Sequence, residues 1–234
     1  MKANPYKINP VLRFFVKIWM FFFTRYYRIT ADISPEISTL NIPYLLLSNL
    51  CGRYDPFILN QYLTKAPNFV SSDAILRDKV IGTIFKKFGA MGIKKGTRDS
   101  QIIREMAKVI QANGALALFP EATRTWNGET NNFDISIVKL IRLLKVPVIT
   151  SCMRGSYFFD PRWGKSIRRS AMHIEFKMVY RPEDLKGLTD DQIYETLKRN
   201  LYNNDVEYQR KRLIKIDNDK RAENIEFICY QCSE

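Results

Sequence analysis

The segment Ala115-Leu-Ala-Leu-Phe-Pro-Glu-Ala-Thr-Arg124 joins a short apolar run to a turn that carries a carboxylate and a guanidinium. A short apolar run followed by a turn is typical of a buried strand. In open α/β sheets, ligands collect at the loops that leave the carboxyl ends of the strands. We therefore expect this charged turn to line a functional site. The alternative is a surface Glu121–Arg124 ion pair, which would add little stability.

Short apolar runs alternate with longer stretches of helical periodicity along most of the chain. This alternation predicts an α/β fold, with a largely parallel or mixed sheet flanked by helices. The predicted strands are Tyr44 to Ser48, Phe69 to Ser71, Ala115 to Phe119, Val146 to Ser151 and Ala171 to Tyr180. The predicted helices are Pro56 to Leu63, Ala74 to Phe88, Asp99 to Gln111, Asp134 to Leu144 and Thr189 to Asn200.

A second polar turn, from Ser48 to Phe57, follows the first predicted strand and precedes a helix opened by Pro56. Its position is equivalent to that of the Glu121–Arg124 turn, so both turns are expected at the same edge of the sheet. Asp55 precedes the proline and is a plausible N-cap of the helix.

Composition favours one main domain and an anionic partner. The chain has 234 residues, 46% of them hydrophobic, which is enough for one sizeable core. Its net charge of +13 indicates contact with phospholipid or nucleic acid, and no nucleic-acid-binding signature accompanies it. Four cysteines do not form a secreted disulfide framework, so a reducing setting is expected.

Residues 1–28 are predicted to form a helix that lies in a membrane interface. The apolar run is interrupted by Lys17 and is shorter than the ~20 residues of a spanning helix. A cleaved signal peptide is also disfavoured, because no Ala-x-Ala-like site follows. The alternative is a core helix with an aromatic face. The residues predicted to meet the membrane are Phe14, Phe15, Trp19, Phe22 and Phe23, with Arg13 and Lys17.

Four motifs, in order, resemble those of the glycerolipid acyltransferase superfamily that includes the lysophosphatidate (1-acylglycerol-3-phosphate) acyltransferases. That family has Asn-His-x-x-x-x-Asp, a Gly-containing strand that ends in a basic residue, Phe-Pro-Glu-Gly-Thr-Arg, and a Val-Pro-Val strand. The matching segments here are Asn49 with Asp55, Gly89 to Lys95, Phe119 to Arg124, and Val146 to Val148. The resemblance covers roughly residues 42 to 180 and implies an acyltransferase domain over residues 29–204.

The motifs depart from the family pattern at three positions. Leu50 stands where the family has histidine, Ala122 where glycine is usual, and Lys95 where arginine is common. A lysine keeps the charge of an arginine but loses its forked geometry. The alanine is a mild change unless its backbone needs a positive φ.

The resemblance implies transfer of a fatty acyl group from a thioester, on coenzyme A or acyl carrier protein, to the hydroxyl of a lysophospholipid such as lysophosphatidic acid in phospholipid biosynthesis. It implies no resident cofactor and a place on the cytoplasmic face of the cell membrane, bound as a peripheral or monotopic protein to its anionic surface. The family histidine is the general base, and Asp55 would orient it. Position 50 is then a vacant base position. The implied substrate-binding residues are Asn49, Lys95, Glu121, Thr123 and Arg124.

Other residues are poor replacements for the missing base. His173 alternates with Glu175 and Lys177 and reads as a surface residue of a strand. Cys51 adjoins the vacancy, but no neighbouring base would activate its thiol. The chain is therefore either an acyltransferase with doubtful turnover or a catalytically dead homologue that binds lipid. A basic nucleic-acid binder would be favoured only by charge.

Residues 205–234 are predicted to form a basic, solvated tail, with a docked helix as the alternative. The tail ends in a lone Cys-x-x-Cys formed by Cys229 and Cys232. A structural zinc site needs four ligands, so this pair alone would be half of a truncated zinc ribbon. No metal site is predicted.

Overall fold

The computed structural model describes residues 6–72, 76, 79, 81–93, 100–227 and 229. The strands in these ranges are β1 (Ile29–Asp32), β2 (Leu45–Ser48), β3 (Pro67–Ser72), β4 (Met91–Ile93), β5 (Ala115–Leu118), β6 (Val148–Arg154) and β7 (Met172–Tyr180). They form one sheet in the order β1-β7-β6-β2-β5-β3-β4. Neighbouring strands are parallel except β6 and β7, which are antiparallel.

Helices flank this sheet. They are α1 (Pro10–Tyr26), α2 (Pro35–Ser38), α3 (Asp55–Tyr62), α4 (Ile81–Lys87), α5 (Ser100–Gln111), α6 (Ser136–Leu144), α7 (Ser156–Phe159), α8 (Asp190–Leu201) and α9 (Asp205–Arg212), with 3₁₀ turns at Pro182–Leu185 and Ile225–Phe227. The predicted α/β class with a mixed sheet is confirmed.

The five predicted strands are all present, and two short edge strands were not predicted as such. β1 is only four residues long and has too few apolar positions to stand out. β4 lies within the segment from Gly89 to Lys95 that the family resemblance had marked. Of the helix predicted from Ala74 to Phe88, the described residues are Leu76, Lys79 and 81–88, and α4 covers Ile81–Lys87.

The side chains of consecutive residues in β2 point to opposite faces of the sheet, as in any strand. Leu45 and Leu47 join the core beneath α5, α6 and α8, whereas Leu46 joins the core beneath α1 and α3. All three leucines are fully buried. β2 is therefore a central strand covered on both faces, as its uninterrupted apolar sequence indicates.

Helix α1 begins where Asn9 accepts a hydrogen bond from the backbone of Leu12 and Pro10 occupies the first turn. Its exposed face is aromatic: Phe14, Phe15 and Phe22 each leave more than 60% of their surface in solvent. Within the described residues, no helix is long and apolar enough to cross a bilayer.

The basic residues of α1 turn towards the protein, which differs from the predicted membrane contacts. Arg13 donates to the carbonyl oxygens of Leu63 and Thr64, and Lys17 donates to that of Leu63. These carbonyls lie just beyond the end of α3, where a helix leaves acceptors unpaired. Phe23 is buried as well and packs against Tyr27, Tyr54 and Phe159. Arg13, Lys17 and Phe23 thus dock α1 onto the domain.

The chain beyond residue 204 begins with a docked helix rather than the predicted solvated tail. Asp205 is fully buried, and its carboxylate accepts the backbone N–H groups of Gly155 and Tyr157 at 2.6 and 2.7 Å. The side chain of Asn204 caps α9. Cys229 is exposed, and Cys232 lies outside the described residues.

Candidate active site

Two loops at the carboxyl ends of β2 and β5 meet around position 50. The backbone N–H of Leu50 donates to Glu121 Oε1 at 2.8 Å, and its carbonyl oxygen accepts the N–H of Thr125 at 3.4 Å. Position 50 is therefore held by main-chain bonds on both sides. The side chain of Leu50 is half-buried and takes no part in those bonds.

Glu121 joins the two loops through a buried carboxylate. Its second oxygen, Oε2, accepts the backbone N–H of Asn131 at 2.6 Å, and the residue is only 7% exposed. Burial raises the pKa of the carboxyl to about 7 and outweighs the two backbone hydrogen bonds, which lower it. Glu121 was predicted to bind substrate, but both of its carboxylate oxygens accept backbone hydrogen bonds that hold the two loops together.

Asp55 faces back into its own loop. Its Oδ2 accepts the backbone N–H groups of Cys51 and Gly52 at 2.9 and 2.8 Å, and Ser156 Oγ lies 3.5 Å from Oδ1. The predicted N-cap role is wrong, because α3 begins at Asp55 and has no side-chain cap. A Cβ at Gly52 would come 2.8 Å from Asp55 Oδ1, so only glycine fits there. Complete burial raises the pKa of Asp55 to about 7.

Asn49 fastens β2 to β6. Its amide nitrogen donates to the carbonyl of Met153 at 2.9 Å, and its amide oxygen accepts the N–H of the same residue at 2.8 Å. The side chain is 1% exposed. Asn49 therefore positions the first loop and has no free group for the predicted substrate contact.

Arg124 ties the second loop to the first. Its Nε donates to the carbonyl oxygen of Cys51 at 2.7 Å, and one terminal nitrogen lies 3.4 Å from a carboxylate oxygen of Asp160. Thr123, the next predicted contact, is exposed. Lys95 lies outside the described residues.

Residues 28–154, more than half of the chain, match the Acyltransferase protein family. The chain belongs to the acyltransferase family. Its fold is similar to the crystal structure of the 1-acyl-sn-glycerophosphate (LPA) acyltransferase PlsC from Thermotoga maritima. The TM-score is 0.67 at 11% sequence identity, and the match covers 86% of this chain and 79% of that chain. Comparison with curated proteins gives no match.

Two further residues of this acyltransferase, which the sequence pattern did not reveal, contact the two loops. Asp160 is fully buried and accepts the backbone N–H of Arg53 at 2.6 Å and its guanidinium at 2.7 Å. Arg162 is exposed, lies 4.3 Å from the ring centre of Trp126, and donates to the carbonyl oxygen of Arg124 at 2.8 Å. These residues lie in loops about 40 to 110 positions apart in the sequence, and no motif spacing links them.

In this acyltransferase the Cys51 thiol is not activated, and His173 lies on β7, two strands away from β2. The Cys51 thiol is buried, and its pKa is raised well above the usual range by burial first and by nearby carboxylates second. His173 lies on β7, where its ring nitrogen Nδ1 is 3.0 Å from the hydroxyl of Thr30. The imidazole also lies 3.4 Å from Asp32, at the sheet edge formed by β1.

Ala122 adopts a left-handed backbone conformation, with φ of 57°. This is the position where the family usually has glycine, so the change is not mild. An L-residue in this region costs about 1–2 kcal/mol. The strain is located in the turn between Glu121 and Arg124, where Ala122 N–H donates to the carbonyl oxygen of Phe119 at 3.1 Å.

We expect Ala122→Gly to raise the free energy of unfolding by roughly 0.5–1 kcal/mol. Glycine relieves the left-handed strain in the folded state. It also makes the unfolded chain more flexible, which favours unfolding by about 0.4–1 kcal/mol. The relief of strain exceeds this cost. Urea denaturation measures the change. Ala222→Gly is the control, because Ala222 is exposed and is not among the described residues with positive φ. If Ala122→Gly lowers the free energy of unfolding as much as the control does, then Ala122 is not strained.

The two buried carboxyls should make stability fall as pH rises. Their pKa values of about 7 in the folded state exceed the unfolded values of about 4, so the folded protein binds protons more tightly. Their stabilising contribution is complete below about pH 4 and is lost as pH rises towards 7. Asp55→Asn or Glu121→Gln should flatten the decline in unfolding free energy between about pH 4 and pH 7. Exposed Glu183→Gln is the control, and an unchanged slope in both site variants would refute the raised pKa values.

Proposed function

We propose that this acyltransferase is built to transfer a fatty acyl group from a thioester to the free hydroxyl of a lysophospholipid, and that Leu50 leaves it with very slow turnover. The observation that carries the proposal is the way both loops converge on position 50. Its N–H is bonded to Glu121 and its carbonyl oxygen to the N–H of Thr125. These two bonds hold the main chain of position 50 between the loops, which supports it as the position of the base that leucine replaces.

A hydroxyl becomes a competent nucleophile when a base accepts its proton, and leucine has no atom that can do so. Asp55 keeps the capacity to orient an imidazole. Its Oδ2 is occupied by two backbone N–H groups, whereas among the described residues Oδ1 has only the 3.5 Å contact with Ser156. Oδ1 is therefore the acceptor for a histidine at position 50.

Asp55 and Glu121 are weak substitutes for the missing base. Both carboxyl groups are buried and accept two backbone N–H groups each. Proton transfer requires direct or water-mediated reach to the hydroxyl. Carboxylates committed to the loop backbone provide that reach poorly, which supports slow turnover.

Arg162 is the side chain best placed to meet an acceptor phosphate. It is exposed and pre-oriented over Trp126, and its Nη1 bond to the Arg124 carbonyl fixes it beside the second loop. Stacking on an aromatic ring suits a guanidinium, whose planar fork then remains available to phosphate. Arg124, by contrast, bonds Cys51 and Asp160 and acts as a positioning residue.

An apolar groove next to Asp55 supports a fatty acyl substrate. It is lined by Pro56 and Phe57 of α3, Phe69 of β3, and Phe85, Phe88 and Ala90 around the end of α4. Phe69 stacks on Phe119, which begins the second loop. The volume of the groove is about 10 Å³, far below the about 300–1,000 Å³ typical of ligand pockets, so an acyl chain would have to move the phenylalanines apart or extend beyond the groove.

The exposed aromatic face of α1 supports a peripheral or monotopic position on the cytoplasmic membrane surface. Phe14, Phe15, Trp19 and Phe22 are all at least half exposed. Apolar side chains on one face of a helix bind by burial in the headgroup boundary. Since Arg13 and Lys17 bond the protein, this contact depends on apolar burial more than on charge.

The second candidate is a catalytically dead homologue that binds lysophospholipid. Leu50 favours it directly, because loss of the base leaves the groove and the rim arginine unaltered. Both candidates predict ligand binding. They differ in whether a histidine at position 50 produces turnover.

Leu50→His should raise kcat for acyl transfer to lysophosphatidate by about 10²–10⁴-fold, with little change in KM. This is the effect of a general base that acts mainly in the transition state. The measurement is release of free thiol from acyl-CoA or acyl carrier protein in the presence of the acceptor. Adding Asp55→Asn should remove most of the gain. Equally robust transfer by the parent and by Leu50→His would refute the base role of position 50, whereas binding without turnover in Leu50→His would favour the dead homologue.

In the Leu50→His background, Arg162→Ala should raise KM for lysophosphatidate and leave KM for a monoacylglycerol unchanged. Arg124→Ala should lower kcat as well, because it releases the loop that holds position 50. Arg181→Ala is the matched control, since Arg181 is exposed and pairs with Glu36 on another part of the surface.

Replacing Phe14, Phe15 and Phe22 with serine should abolish most sedimentation with liposomes. The substitutions remove exposed apolar surface and leave the buried Met20 and Phe23 in place. High salt should weaken binding to anionic liposomes only in part, because the apolar contribution is not screened.

The matched control for this membrane test is serine at Leu213 and Phe227, which are 81% and 64% exposed outside α1. It should sediment like the parent. Full liposome binding by the α1 variant would exclude this face as the membrane contact.

A further inference from the structure

A polar cleft lies between β6, β7 and α8, on the sheet face opposite α1. It is lined by Thr150, Arg154, Glu175, Lys177, Arg199 and Asn200 and has a volume of about 140 Å³. The buried Cys152 forms part of its floor. Its volume is below the about 300–1,000 Å³ of typical small-molecule sites, and its walls are polar rather than apolar, so it suits a small charged group.

The strand register explains why these side chains converge. Thr150 pairs with Lys177, and Cys152 pairs with Glu175, so alternate residues of β6 and β7 point to the same face. The end of α8 brings Arg199 and Asn200 to that face. In α8 these two residues lie between Leu197 and Leu201, which both pack into the core.

The cleft carries more positive than negative side chains. Arg154, Lys177 and Arg199 face a single carboxylate, Glu175, which bonds Arg154 at 2.8 Å. Within the part of the chain that the structure describes, neither Lys177 nor Arg199 forms an ion pair. Two cations therefore remain for an anionic ligand.

The cleft and α1 lie on opposite faces of the sheet. Helix α1 packs on the face that carries Leu46 and Met153, whereas α8 packs on the face that carries Leu45 and Val148. A ligand of the cleft therefore arrives on the side away from the aromatic surface of α1. This geometry favours a water-soluble anion over a lipid head group.

We propose that the polar cleft binds a small, water-soluble phosphate ester through Lys177, Arg199 and Arg154. A guanidinium provides a fork for phosphate oxygens, and an ammonium adds a point charge. The phosphate could belong to a free metabolite or to the coenzyme A part of an acyl donor, since both carry the same chemistry. The proposal does not depend on acyl transfer, because it concerns binding to the chain as it stands.

Isothermal titration calorimetry of the full chain with inorganic pyrophosphate, ADP and coenzyme A tests the proposal. We expect saturable binding at one site. Lys177→Gln combined with Arg199→Gln should weaken it by about 10- to 100-fold, because charge-assisted hydrogen bonds are lost. Glu175→Gln should instead tighten binding, since it removes the one carboxylate and releases Arg154.

The control variant combines Lys186→Gln with Arg210→Gln, which removes the same charge from exposed positions outside the cleft. It should bind like the parent, and circular dichroism verifies that both double variants fold.

Binding of coenzyme A without pyrophosphate or ADP would identify the donor as the source, and binding of all three would indicate a free phosphate ester. Absence of saturable binding, or equal weakening in the control, would overturn the proposal. Arg162→Ala should leave cleft binding intact, which separates this result from failure of the proposed lysophospholipid site.

Discussion

The buried carboxylate of Glu121 is the contact on which the site depends. One oxygen holds the N–H of Leu50 and the other holds the N–H of Asn131, so a single side chain fixes the separation of two loops that follow different strands. Such a group must be fully paired, because an unsatisfied buried carboxylate is costly. Asp55 follows the same rule with Cys51 and Gly52. The charged motif residues therefore hold the loops of the candidate active site in place.

This scaffold holds position 50 through its main chain. The hydrogen bonds that fix position 50 within the described residues come from its backbone, and any residue except proline supplies the same N–H and carbonyl groups. In the proposed mechanism, a leucine in place of histidine would therefore remove proton transfer and leave these bonds unchanged. The strain at Ala122 is a different kind of departure, since it alters the backbone energetics of the second loop.

The two faces of the sheet meet different surroundings. One carries α1, whose cationic residues Arg13 and Lys17 are used to dock the helix while its aromatic residues remain exposed. The other carries the polar cleft, where Lys177 and Arg199 have no acidic partner within the described residues. The net charge of +13 is therefore distributed unevenly, and charge composition alone does not identify which surface meets an anion.

Local patterns in the sequence determined the α/β class, the central strands and the two site loops, because strand alternation and turn chemistry depend on neighbouring residues. The family resemblance, rather than these patterns, predicted that position 50 is a vacant base position. Only the tertiary structure decided which atoms each side chain uses: Asn49 and Arg124 read as substrate contacts, yet they bond β6 and the neighbouring loop. Asp160 and Arg162 were not found at all. Their partners are far away in the sequence, and the arrangement of the strands brings them close. Polar groups that become buried there must then form hydrogen bonds.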